Sequence, residues 1–258
     1  MFKGLKGKTV IVTGGGSGIG RVTCLKLAEL GANVSIVTQN EERGNETLRQ
    51  VLEYGVKAIF IQADVSKEAD VINFINKTVE EFGNIDGLFN NAGIEGVMKP
   101  LADYSLEEFE NVIDVNLKSV FLGMKYAIPE LIKNGGGTIL NTSSHAGVVG
   151  SPFVSGYSAT KHAVIGLTKT AVGEYSDKGI TFNVICPGPT DTPMMQRFAE
   201  ALTPDDHSQT ERNVTSGMPT GKYVDPSDIA DLACFLLSPS AKSITGAVHL
   251  VDGGITAL

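Results

Sequence analysis

The sequence predicts a doubly wound α/β protein: a parallel sheet of seven strands with helices on both faces. Three observations lead there. Short β-branched runs alternate with longer stretches whose apolar residues recur every three or four positions, the alternation that builds βαβ units. Several runs are apolar at consecutive positions, as strands buried on both faces require. A glycine-rich turn joins the first run to the first helical stretch, at the carboxyl edge where such sheets collect ligands.

The strand candidates run in order as Thr9–Thr13 (TVIVT), Asn33–Val37 (NVSIV), Lys57–Gln62 (KAIFIQ), Asp86–Asn90 (DGLFN), Thr138–Thr142 (TILNT), Thr181–Ile185 (TFNVI) and Ala247–Val251 (AVHLV). Helical spacing fills the gaps at Arg21–Leu30, Glu41–Glu53, Lys67–Phe82 and Leu106–Lys133. Seven strands at this spacing use nearly the whole chain as one domain, 1–258, with no linker and no short repeat. Only Pro187 to Val224 stands outside the alternation.

The 258 residues are 42% hydrophobic and 19% charged, enough for one large core. A net charge of −8 argues against nucleic acid or an anionic membrane as partner. The longest uncharged stretch, Asn134 to Thr160, is too rich in Gly, Ser and Thr to span a bilayer. The N-terminus lacks the apolar stretch of a secretory signal. Cys24, Cys186 and Cys234 are odd in number, widely spaced and set among apolar neighbours, so they read as reduced core thiols. A soluble, cytoplasmic protein is expected.

Chemistry collects after the strands. Gly14, Gly18 and Gly20 follow TVIV in the spacing G-x-x-x-G-x-G; strict G-x-G-x-x-G is absent. Glycine lets the backbone approach a ligand, and the helix that follows offers free N–H groups to a pyrophosphate. A tight strand-to-helix turn needs glycine in any case. Tyr157 and Lys161 (YSATK) are four residues apart, on one face if helical. A lysine charge held there would favour the phenolate of Tyr157. Taken singly, each pattern also has a bland reading.

Together, T-G-x-x-x-G-x-G at 13–20, N-N-A-G at 90–93, a serine thirteen residues before Y-x-x-x-K, and the closing Val251-Asp252-Gly253-Gly254 resemble the short-chain dehydrogenase/reductase family. The resemblance covers essentially the whole chain. It implies a Rossmann fold and hydride transfer between NAD(P) and a ketone or secondary alcohol. Ser144 would then hold the substrate oxygen, in preference to Ser143. Tyr157 would be general acid in reduction and base in oxidation, and Lys161 would tune it while bonding the nicotinamide ribose. Asn116 would hold a water linking Lys161 to solvent; a bond to local backbone is its alternative.

For the cofactor, the resemblance implies Gly14, Ser17, Gly18, Ile19 and Gly20 at the pyrophosphate. It would also put Asn91, Ala92 and Gly93 beside the riboses and Asp64 and Val65 at the adenine, where Asp64 could instead cap a helix. Pro187, Gly188, Thr190 and Thr192 would place the nicotinamide. The ribose positions Thr38 and Gln39 carry neither the Asp of NAD-preferring relatives nor the Arg of NADP-preferring ones. Glu41 and Glu42 would repel a 2′-phosphate and Arg43 attract one; the balance favours NAD over NADP.

Residues 190–224 occupy the family's substrate-lid position. Met194, Met195 and Phe198 would form an apolar wall, and His145, Phe153, Val154, Ile94 and Glu95 the rest of a largely apolar pocket. Ser144 and His145 are adjacent at a strand end and should point apart, which argues against a hydrolase triad. Rival readings are an epimerase or dehydratase using the cofactor transiently, and a cofactor-sensing protein without activity. Analogy with relatives implies a homotetramer, or a dimer, joined through the helices at 106–133 and 152–178 and the C-terminal segment.

Overall fold

The computed structural model describes residues 3–202 and 207–257. Seven strands are formed: β1 (Thr9–Thr13), β2 (Asn33–Thr38), β3 (Ala58–Gln62), β4 (Gly87–Asn90), β5 (Gly137–Thr142), β6 (Ile180–Pro187) and β7 (Val248–Val251). All pair in parallel, in the order β3-β2-β1-β4-β5-β6-β7. The order reverses between β1 and β4, which opens a crevice at their carboxyl ends.

The helices in chain order are α1 (Gly18–Glu29), α2 (Glu41–Leu52), α3 (Glu68–Phe82), α4 (Leu106–Ile113), α5 (Ser119–Lys133), α6 (Ser155–Tyr175), α7 (Pro193–Leu202), α8 (His207–Ser216) and α9 (Pro226–Leu237). Alternation along β1 shows how they are held. Val10 and Val12 pack into one cluster with Leu27 of α1 and Ile229 of α9; Ile11 packs into the other with Phe74 of α3, Leu131 of α5 and Val164 of α6. Successive side chains on a strand point to opposite faces, so each face of the sheet has its own core. Each of these buried apolar side chains contributes about 1.5–3 kcal/mol.

A polar line crosses the second core. Asn90 donates to Asn141 Oδ1 at 2.9 Å, Asn141 donates to Thr168 Oγ1 at 2.9 Å, and Thr168 donates to Val164 O at 2.7 Å. It ties β4, β5 and α6 together in fixed register.

The stretch Leu106–Lys133 is not one regular helix. A π-helical turn, Asp114–Lys118, separates α4 from α5. The widened turn carries Asn116, 1% exposed, toward the segment after β4. The stretch 190–224, expected to be the lid, holds α7 and α8, and its residues 203–206 lie outside the described residues.

Candidate active site

The glycine turn is built so that backbone meets backbone. A Cβ at Gly20 would lie 2.2 Å from Gly14 O, and one at Gly14, whose φ is +68°, would lie 3.0 Å from Ala92 Cα. Only glycine fits, and the N-terminus of α1 is left facing the crevice with its free N–H groups. Thr13, which opens the T-G-x-x-x-G-x-G motif, locks this turn to the Asn91–Gly93 segment. Its Oγ1 accepts from the N–H of Asn91 at 3.0 Å and of Ala92 at 3.1 Å, and its carbonyl accepts from Asn91 Nδ2 at 3.1 Å.

A cavity of about 550 Å³ opens at the same edge. Gly14, Ser17, Gly18 and Ile19 line its floor, with Asn91, Ala92 and Gly93 beside them. Ser144, His145, Tyr157 and Lys161 form one wall, and Pro187, Gly188, Thr190 and Thr192 another. Glu95, Met194, Met195 and Phe198 close the outer side, joined by Arg197 and Ile255, which had no local sequence signal. Thr38, Gln39, Asp64 and Val65 lie outside this cavity. Thr38 packs beside Gly16, where a Cβ would meet its Cγ2 at 3.0 Å. The Asp64 carboxylate accepts from Ser66 N and Oγ rather than capping α3.

Ser143 and Ser144 take different roles. Ser143 donates to Lys161 O at 2.7 Å and is 1% exposed, so its hydroxyl is committed. Ser144 caps a 3₁₀ turn, accepting from Ala146 N at 3.1 Å, and faces the cavity. That fold-back corrects one expectation. Ser144 and His145 do not point apart: Ser144 Oγ lies 3.4 Å from His145 Nδ1. The contact is long for a hydroxyl–nitrogen bond, and burial lowers the His145 pKa, opposed by the nearby Pro187 backbone. No activated hydrolytic serine results.

Tyr157 and Lys161 share one face of α6, as the spacing predicts, with Lys161 Nζ 5.5 Å from the centre of the tyrosine ring. The ammonium donates to Thr142 O at 2.9 Å, and burial lowers its pKa to about 8. The protein's own groups act on the phenol in both directions. Burial raises the Tyr157 pKa; a hydrogen bond with Ser144 lowers it, and the Glu95 charge raises it. Lys161 lies over the ring face, with one of its three N–H groups given to the Thr142 carbonyl.

Asn116 accepts from Ile94 N and donates to Ile94 O, both at 2.8 Å, clamping the segment next to Gly93. Its amide is thus matched to backbone distant in sequence. Phe153 departs from expectation. It is 55% exposed, takes a φ of +68°, and does not line the cavity, which Ser151 and Val154 line instead. Its carbonyl accepts from Lys99 N, and that tie to the neighbouring loop holds the residue turned outward.

The residues present fit a dinucleotide. They offer a cradle that any Cβ would fill, a helix N-terminus above it, and the buried Thr142 Oγ1, which has no partner and stands at the cavity wall. Fold and site together define an NAD(P)-dependent oxidoreductase that moves hydride between the cofactor and an alcohol/ketone pair. The chain belongs to the short chain dehydrogenase family, whose model matches residues 8–203. It is 43% identical to a 2,5-dichloro-2,5-cyclohexadiene-1,4-diol dehydrogenase of Sphingobium indicum, over 98% of this chain and 99% of that one. It is 39% identical to a cyclohexanol dehydrogenase of an Acinetobacter species, over 96% and 95%. The crystal structure of levodione reductase superposes with a TM-score of 0.96 at 38% identity, covering 98% of each chain. Among the described residues, no helix is long and apolar enough to cross a membrane.

Proposed function

We propose that Ser144, Tyr157, Lys161 and Asn116 carry the reaction, on a secondary alcohol or ketone of a neutral six-membered ring. One observation carries this reading: Ser144, Tyr157 and Lys161 line the same cavity as the glycine turn. When bound, the nicotinamide supplies or accepts the hydride. Ser144 orients the substrate oxygen, and Tyr157 gives it a proton in reduction or removes one in oxidation. Lys161 stands next to the ribose site, where its charge acts on the phenol with that of the oxidised ring. Asn116 keeps the segment beside Gly93 in place and holds the proton path from Lys161 to solvent.

The substrate class rests on the cavity and on the two relatives named for cyclic alcohols. Met194, Met195, Phe198 and Val154 supply apolar walls, and Glu95, the one carboxylate among the described residues lining the cavity, is matched by Arg197. Residues 190–224 serve as the lid of a single-domain enzyme. NAD is preferred to NADP, because Ser17 and Gln39 are neutral and Glu41 and Glu42 head α2 nearby; Arg43 is the group that opposes this preference. The assembly is a homotetramer, supported by exposed Phe121 on α5 and Leu250 on β7. Buried free thiols at Cys24, Cys186 and Cys234 suit the cytoplasm.

The test is Tyr157→Phe, assayed by NADH fluorescence titration and by absorbance at 340 nm with cyclohexanol and cyclohexanone. Cofactor affinity should persist while turnover falls by orders of magnitude. Near-normal turnover would overturn the role given to Tyr157.

A further inference from the structure

The outer wall of the cavity carries an ion pair that the reaction scheme leaves unused. Arg197, one turn into α7, donates from Nε to Glu95 Oε1 at 2.6 Å and from Nη2 to Oε2 at 3.1 Å. Such a two-pronged pairing fixes orientation as well as charge. Glu95 is the only carboxylate among the described residues lining the cavity; its side chain is 20% exposed, that of Arg197 50%. α7 packs chiefly on α8, so this pair is a polar tie between the lid and the segment after β4.

We propose that Glu95 and Arg197 form a charge latch that couples seating of α7 over the substrate to proton transfer at Tyr157. It rests on the reading of Tyr157 as the acid/base group. The tyrosine shares its surroundings with Lys161 on its own helix, Cys186 on β6, His145 after β5, Arg197 on α7 and Glu95 after β4. Of these, Glu95 is the carboxylate, and its charge works against the phenolate. With α7 seated, the guanidinium offsets part of that charge, and the phenol gives up its proton more readily than it would beside a bare carboxylate. With α7 lifted, the bare carboxylate keeps the proton on the phenol. Proton transfer is thereby favoured when the substrate is covered, and the closed pocket is neutral at its mouth.

The two halves of the latch have opposite electrostatic effects and the same mechanical one, which makes the proposal testable. The readout is the pH profile of kcat/KM for alcohol oxidation, whose acid-side limb follows loss of the tyrosine proton, together with KM. Glu95→Gln should move that limb to lower pH, and Arg197→Gln should move it to higher pH. Both should raise KM by up to about fivefold, the range expected for a partly exposed pair. Arg197→Lys keeps the charge without the fork, so its limb should stay with that of wild type while KM rises. Limbs that stay fixed in both Gln variants, or move the same way, would overturn the latch. Tyr157→Phe is measured alongside: near-normal turnover there would sink the acid/base reading itself, whereas an inactive variant with unmoved limbs elsewhere sinks the latch alone.

Discussion

Lys161 should cost the protein stability, and replacing it by methionine should return some. Its ammonium is buried and 3% exposed by residue, with one hydrogen bond, to Thr142 O. Burial brings its pKa from 10.5 to about 8. At 1.36 kcal/mol per unit, keeping the lysine charged in the folded state costs about 3 kcal/mol. Lys161→Met removes that cost and also removes the bond to Thr142, worth about 1.5 kcal/mol. The variant should therefore be about 1–2 kcal/mol more stable at pH 7, while losing nearly all turnover.

The pH dependence separates this reasoning from a simple packing gain. Below pH 8 the lysine is protonated folded and unfolded, and the cost is present in full. Between about 8 and 10.5 the folded lysine has lost its proton while the unfolded one keeps it, so wild type gains stability as pH rises. The advantage of the variant should shrink and vanish, or change sign, by pH 10. Urea unfolding at pH 7 and pH 10, at fixed protein concentration, measures it; far-UV circular dichroism is the probe, since the chain has no tryptophan. A variant no more stable than wild type at pH 7, or a gap of equal size at both values, would refute an uncompensated buried charge.

Three further substitutions test neighbouring parts of the site. Gly20→Ala places a methyl 2.2 Å from Gly14 O; displacing the turn should weaken NADH binding about tenfold or more by titration. Thr38→Asp should raise the ratio of NAD to NADP affinity, and an unchanged ratio would mean Thr38 does not face the ribose. Asn116→Ala orphans both Ile94 backbone groups and should cost about 2–4 kcal/mol in urea unfolding, with a higher KM for the nicotinamide cofactor.

The sheet was legible in the sequence because its inner strands are buried on both faces, while the half-exposed edge strands β3 and β7 keep short apolar runs. Each of the seven β-branched runs became a strand, with ends displaced by two residues at most. The glycine turn was legible for a different reason: the constraint that fixes it, backbone against backbone at Gly14 and Gly20, lies within seven residues of chain. The π turn at Asp114–Lys118 was not, because one widened turn barely disturbs the three- and four-residue apolar spacing. Nor was Phe153, whose left-handed backbone is fixed by hydrogen bonding with a loop some fifty residues earlier.

What spacing conveys about Tyr157 and Lys161 is placement, and placement alone does not set a proton affinity. The i, i+4 separation put both groups on one face of α6, yet the field at the phenol comes from elsewhere in the chain. Desolvation by the surrounding fold raises its pKa, and Glu95, on another segment, raises it further. Arg197, which pairs with that carboxylate, is a hundred residues beyond it in sequence. A charge pair at that separation leaves no periodic trace. If the latch holds, the acidity of Tyr157 is a property of the closed enzyme, set in part by α7, and not of the five-residue motif that identifies it.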